Sequence, residues 1–154
     1  MKAIYERRIE RLQQRMAEQD VDALLILSGN DYIYFTGDSR RQPRAIIPRQ
    51  GPPILLTFAA EVEEARQATG LEDVRPYRGL HEMMQAIMGY FRSLGKAHPR
   101  VAIEFEFATP AFLLERFKLA NPQVQVVDAK PLVAPLRQIK EPDEVTRLQR
   151  AAQL

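Results

Sequence analysis

Apolar residues recur along this chain in two alternating rhythms. Residues 23–27, Ala-Leu-Leu-Ile-Leu, form a continuous apolar run, the pattern of a strand covered on both faces, and we read it as the central strand of a sheet. Before it, Tyr5, Ile9, Leu12 and Met16 recur at helical spacing among charged residues, which predicts a helix whose single apolar stripe lies on that sheet. After it, Ser28, Gly29 and Asn30 are turn formers, and Asn30 or Asp31 is expected to cap a short helix. That helical turn carries Tyr32, Ile33, Tyr34 and Phe35 and ends at Gly37, with the two phenol hydroxyls expected to point outward.

The loop 38–44 has neither periodicity and holds Asp38, Arg40, Arg41 and Arg44. Two short apolar runs follow, 45–47 and 54–58, separated by Gln50, Gly51, Pro52 and Pro53 at hairpin length, and predict an antiparallel pair. Residues 61–68 read as a charged helix closed by Gly70, and 73–77 as an edge strand. Leu80, Met83, Met84, Ile87, Met88, Phe91 and Leu94 then recur at helical spacing up to a stop at Gly95, and the methionines are assigned to the core. Residues 100–107 read as a strand, Thr109 and Pro110 as the cap and first turn of a helix with Leu113, Leu114 and Phe117 inside, and 123–127 as the last strand. Strands alternating with helices predict an α/β sandwich.

Composition changes this picture little: 45% hydrophobic and 27% charged residues over 154 positions is enough for one domain with a real core. No stretch approaches the length of a membrane-spanning helix, and the N-terminus lacks the apolar centre of a signal peptide, so a cytoplasmic location and no membrane partner are expected. Cysteine is absent, which excludes disulfides, a thiol nucleophile and thiolate metal sites. A net charge of +2 does not argue for a nucleic-acid partner.

Candidate chemistry is sparse. A two-metal hydrolase needs convergent carboxylates and usually a histidine, but His81 and His98 lack ligand-like spacing, so no metal site is expected within this chain. Glu104 and Glu106 alternate with Phe105 and Phe107, so both carboxylates would share one strand face, as a nuclease requires; a solvated strand end is the simpler reading. Ser28, Gly29 and Asn30 lie where helix N–H groups can hold a phosphate, but one glycine falls short of a phosphate-loop fingerprint. The loop arginines Arg40, Arg41 and Arg44 are the most distinctive candidate. Guanidinium groups bind carboxylates in bidentate fashion, and a dipeptide-like substrate carries a free carboxylate.

From Pro131 the pattern changes. Residues 132–140 read as a connection, and Glu141, Pro142, Asp143 and Glu144 as the start of a helix with Val145, Leu148, Ala151 and Ala152 as its stripe. This helix is expected to open a second domain. Leu136, Arg137, Gln138, Ile139 and Lys140, with Pro142, Glu144, Leu148 and Ala151, resemble the linker and first helix that lead into the "pita-bread" domain of the creatinase, aminopeptidase P and prolidase (Xaa-Pro peptidase) family. Tyr34, Thr36 and Gly37 after an apolar strand resemble that family's Tyr-Leu-Thr-Gly turn, and residues 101–104, ending in Glu104, its Val-Gly-x-Glu strand. Asp31 and Ala102 depart from the family's usual Asn and Gly.

The resemblance implies a mixed β-sheet flanked by helices on both faces, the ribonuclease-H-like creatinase N-terminal domain, over residues 1–132, with 133–154 as linker and first helix of a C-terminal catalytic domain. It further implies a non-catalytic domain of a Xaa-Pro dipeptidase-like or aminopeptidase-like metallohydrolase, aiding homodimer assembly and access of short peptides to the partner subunit's active site. Arg40, Arg41 and Arg44 would form the access loop. The family's two divalent metal ions, Mn, Co or Zn, are held by two Asp, one His and two Glu of the C-terminal domain, and none of those positions lies in this chain. The residues alone also allow a free-standing α/β binding module that holds an anionic ligand at the basic loop.

Overall fold

The structure, a computed structural model, describes residues 2–40, 44–106 and 109–153. Among these, six strands form one sheet: β1 (Ala23–Ile26), β2 (Arg44–Pro48), β3 (Ile54–Phe58), β4 (Val74–Tyr77), β5 (Arg100–Ile103) and β6 (Gln125–Asp128), in the spatial order β4-β3-β2-β1-β5-β6. β1, β2 and β3 pair antiparallel, whereas β5 joins β1, β6 joins β5 and β4 joins β3 in parallel. This is the mixed, ribonuclease-H-like sheet that was expected, with β1 in its interior.

The continuous apolar run of β1 is explained by two cores. Leu24 and Ile26 face one core and Ala23 and Leu25 the other, because successive side chains of a strand point to opposite faces. On the first face lie α1 (Ala3–Glu18), α2 (Gly29–Thr36), α3 (Val62–Thr69) and α6 (Lys130–Gln138), which contribute Leu12, Met16, Phe35, Ala65, Leu132 and Leu136. On the second lie α4 (Leu80–Ser93) and α5 (Ala111–Ala120), with Met83, Ile87, Phe91 and Phe117 inside. A final helix, α7 (Pro142–Ala151), buries none of its residues.

Several local expectations change. Ser28, not Asn30 or Asp31, caps α2: its hydroxyl accepts the Asp31 N–H at 3.1 Å, which leaves the Asp31 carboxylate for another partner. The tyrosine hydroxyls turn inward, because each finds a buried acceptor. β5 stops at Ile103, so Glu104 and Glu106 lie beyond the ladder and do not share a strand face; Phe107 is outside the described residues. α5 starts at Ala111 with Pro110 as its cap, which lacks a side-chain bond, so Thr109 stands outside the helix. The methionine stripe divides: Met83 is buried, whereas Met84 and Met88 are half-buried along a groove between α4 and α5.

Residues 130–138 differ most from the sequence reading. Pro131 and Pro135 suggested a connection, but α6 accommodates Pro131 in its first turn, where a missing N–H costs nothing. Leu132, Val133 and Leu136 then sink into the first core, and burial outweighs the local penalty of Pro135.

Candidate functional site

Among the described residues, buried polar groups gather at the end of α2, at the start of the basic loop and around Asp22. The first surrounds the Tyr34–Gly37 turn. Thr36 Oγ1 donates to the Tyr32 carbonyl at 2.7 Å and accepts the Asp38 N–H at 3.2 Å, which closes the end of α2. Gly37 follows in the left-handed region, φ 74°, and its N–H reaches the Ile33 carbonyl. The Tyr5 ring of α1 packs so closely on Gly37 that no Cβ fits there. Tyr34 Oη donates to the Leu136 carbonyl of α6 at 3.0 Å, and Arg137 beside it pairs with Asp31 at 2.7 Å. The turn therefore holds α1, α2 and α6 together, and burial raises the Tyr34 phenol above its usual pKa.

Arg8 sits at the centre of this junction with only 5% exposure. Its Nη1 donates to the Tyr34 carbonyl at 2.8 Å and its Nε to Glu141 at 2.9 Å, and its guanidinium carbon lies 4.1 Å from the centroid of the Tyr34 ring. The sequence reading passes over Arg8. The signal was there: Arg8 falls three residues after Tyr5 and four before Leu12, a cation inside the apolar stripe. A pocket of about 320 Å³ opens beside it, lined among others by Tyr34, Arg137, Glu144 and Arg147. Its guanidinium groups already face carboxylates, Arg8 to Glu141, Arg137 to Asp31 and Arg147 to Asp143.

The second cluster is the start of the basic loop. Asp38 is 6% exposed, accepts the Tyr32 hydroxyl at 2.8 Å and pairs with Arg40 Nε at 3.2 Å. Arg40 Nη1 donates to the Glu61 carbonyl at 2.7 Å, while the Glu61 carboxylate accepts Thr57 Oγ1 at 3.1 Å. Arg40 is thus held in place from two sides rather than free on a loop. Burial drives the Tyr32 phenol far above its usual value, and the bond to Asp38 acts in the same direction. Arg44 is not in the loop but opens β2, where burial lowers its pKa and Tyr77 is a charge neighbour. Arg41, with Gln42 and Pro43, lies outside the described residues.

The remaining candidates separate. His81 and His98 are exposed, and His98 Nδ1 lies 3.3 Å from the Gln123 carbonyl. Glu104 is half-buried at the end of β5, and Glu106 pairs with Lys130. Neither β1 nor β5 carries a carboxylate within the strand, so the paired-acid arrangement is not formed. Among the described residues no three His, Asp or Glu side chains converge to hold a metal ion, so this part of the chain does not fit a dinuclear metal centre. A further polar hub that sequence reading misses joins the other end of the sheet: Asp22, 7% exposed, accepts Lys96 Nζ at 2.6 Å and the Arg100 N–H at 3.0 Å and pairs with Arg49 at 2.9 Å.

Comparison with known proteins places this geometry. No curated protein matches the sequence. Among solved structures, a recombinant prolidase from Thermococcus sibiricus superposes with a TM-score of 0.84 at 18% identity, over 99% of this chain and 42% of the prolidase. A Xaa-Pro dipeptidase from Bacillus anthracis gives 0.80 at 21% identity, over 97% of this chain and 40% of its own. The N-terminal domain of the cytoplasmic peptidase PepQ from Mycobacterium tuberculosis gives 0.70 at 19% identity, over 84% of this chain and 97% of that domain. This chain therefore spans about two-fifths of the first two proteins and corresponds in size to the third. The Creatinase/Prolidase N-terminal domain family matches residues 8–139, which include Arg8, the Tyr34–Gly37 turn and all of α6, and the chain belongs to that family.

Proposed function

We propose that this chain is the non-catalytic N-terminal domain of a metal-dependent Xaa-Pro dipeptidase or aminopeptidase, cytoplasmic and acting beside a C-terminal catalytic domain of the same polypeptide. The observation that carries this reading is the family match over residues 8–139, together with a fold likeness to a prolidase that covers 99% of the chain. In this reading the two divalent metal ions are held by the C-terminal domain, and residues 1–154 alone are inactive. The exposed stripe of α7, with Val145 at 40% and Leu148 at 57%, supports an adjoining surface that covers it.

In the same reading the domain assists homodimer assembly, and the loop that carries Arg40 and Arg41 and ends where Arg44 opens β2 helps select short peptides at the partner subunit's active site. The support is local: Asp38 and Glu61 hold the Arg40 guanidinium in one orientation, as recognition of a carboxylate requires. The test is an assay for Mn-, Co- or Zn-dependent hydrolysis of an X-Pro dipeptide by the protein that joins this domain to its C-terminal domain. Turnover by that protein and none by residues 1–154 is expected; the reverse result overturns the reading. Arg40→Lys, which keeps the charge but loses the fork, should lower kcat/KM, and an unchanged value removes the loop from substrate selection.

A further inference from the structure

Arg8 is a charge placed where charges are costly, and its side chain is 6% exposed. A buried guanidinium is tolerated only when its donors are met by acceptors or opposite charges. The acceptors of Arg8 come from two directions. The Tyr34 carbonyl belongs to the core of the domain. Glu141, which caps α7, takes both Nε at 2.9 Å and Nη2 at 2.8 Å on a single oxygen, and Glu144 Oε2 lies 3.5 Å from Nη2.

Those two acids already have a task in α7. They form its reciprocal capping box, in which the Glu141 side chain accepts the Glu144 N–H and the Glu144 side chain accepts the Glu141 N–H at 3.0 Å. A cation at a helix N-terminus is ordinarily unfavourable, because the exposed N–H groups carry partial positive charge. Here both capping carboxylates stand between Arg8 and that charge. The acids cap the helix and bind the core with the same groups, so the start and the direction of α7 are determined together.

Apolar packing does not do this work, since no residue of α7 is buried. α6, by contrast, is anchored by Leu132, Val133 and Leu136 and ends at Gln138. Between them lie Ile139, 72% exposed, and the exposed Lys140, whose Nζ donates to the Arg137 carbonyl, a short joint with no buried side chain. We infer that Arg8 is a positioning residue that locks the direction of α7 on the domain through Glu141 and Glu144. The latch stands on contacts within this chain; its consequence, that a catalytic domain joined through α7 is oriented by Arg8, rests on the function proposed above.

The chain has no cysteine, so Gln85→Cys on α4 and Gln149→Cys on α7, both exposed positions, give a single pair of spin labels whose distance distribution reads the direction of α7. The doubly labelled 154-residue chain is expected to show one narrow distribution. Arg8→Gln should lose it, and Arg8→Lys, which keeps the charge without the fork, should restore it in part. A folded Arg8→Gln chain with an unchanged narrow distribution overturns the inference, as does a broad distribution before any substitution at Arg8. Should Arg8→Gln fail to fold, the double variant Glu141→Gln with Glu144→Gln decides: the narrow distribution is lost if the latch exists and kept if it does not. Asp143→Asn is the control, because Asp143 pairs with Arg147 inside α7. It should leave the distribution narrow, and equal broadening there means fraying of the helix and also overturns the inference. None of these readouts depends on peptidase activity, so failure of the functional reading and failure of the latch are separable.

Discussion

The Tyr34 hydroxyl donates to the Leu136 carbonyl at 3.0 Å, joining two positions 102 residues apart in sequence. Removing that hydroxyl leaves a buried carbonyl without its donor. Tyr34→Phe should therefore destabilise the domain by about 1–3 kcal/mol, the cost of an unsatisfied buried polar group. The check is a urea titration, in which the midpoint falls and the slope stays constant.

Gly37 and Gly51 both adopt positive φ, at 74° and 89°, but only Gly37 has a ring against its Cα. Gly51→Ala should cost about 1–2 kcal/mol, from backbone conformation alone. Gly37→Ala should cost more, and Tyr5→Ala in the same chain should recover part of the difference. Equal costs at the two sites would show that the Tyr5 contact carries no weight.

Alkaline pH should weaken the fold. Burial raises the phenol pKa of Tyr32, Tyr34, Tyr77 and Tyr90 above the usual 10.0, and for Tyr32 the bond to Asp38 adds to it. The folded state then holds its phenol protons more tightly than the unfolded chain, so stability is full below the unfolded value and falls as pH rises above 10.0. Denaturant midpoints measured on either side of that pH should show the decline, and Tyr32→Phe should make it shallower.

The second core depends on an edge-to-face contact between Phe91 and Phe117, with ring centroids 5.8 Å apart and each side chain about 1% exposed. Phe117→Ala should cost about 3–5 kcal/mol as lost burial and a cavity. Leu119→Ala, two residues on but 80% exposed, should fall within about 0.5 kcal/mol of the parent.

Periodicity made much of the architecture legible. The unbroken run of β1 marks a strand between two cores, the Tyr5 to Met16 stripe marks α1, and the left-handed glycines Gly37, Gly70 and Gly95 mark helix ends. The Tyr34, Thr36 and Gly37 pattern was also visible, but as a motif without a task. Its task appears only when α1 and α6 are in place, because Tyr5 and Leu136 are its partners.

What the sequence determined by itself is whatever depends on neighbours three or four residues away: which segments are helix or strand, which face of each is apolar, and where glycine must end a helix. Tertiary structure alone decided which distant groups meet. Arg8 and Glu141 are 133 residues apart, Asp22 and Lys96 are 74, and nothing in their local sequence names the partner. Tertiary structure also made a helix of residues with two prolines, and turned the tyrosine hydroxyls inward toward Asp38 and Leu136. The physical reason is the same in each case. Local preferences amount to about 1 kcal/mol or less per residue. Burying a large apolar side chain, or leaving a buried polar group unpaired, is worth about 1–3 kcal/mol, and only the assembled fold decides which groups are buried and what they meet there.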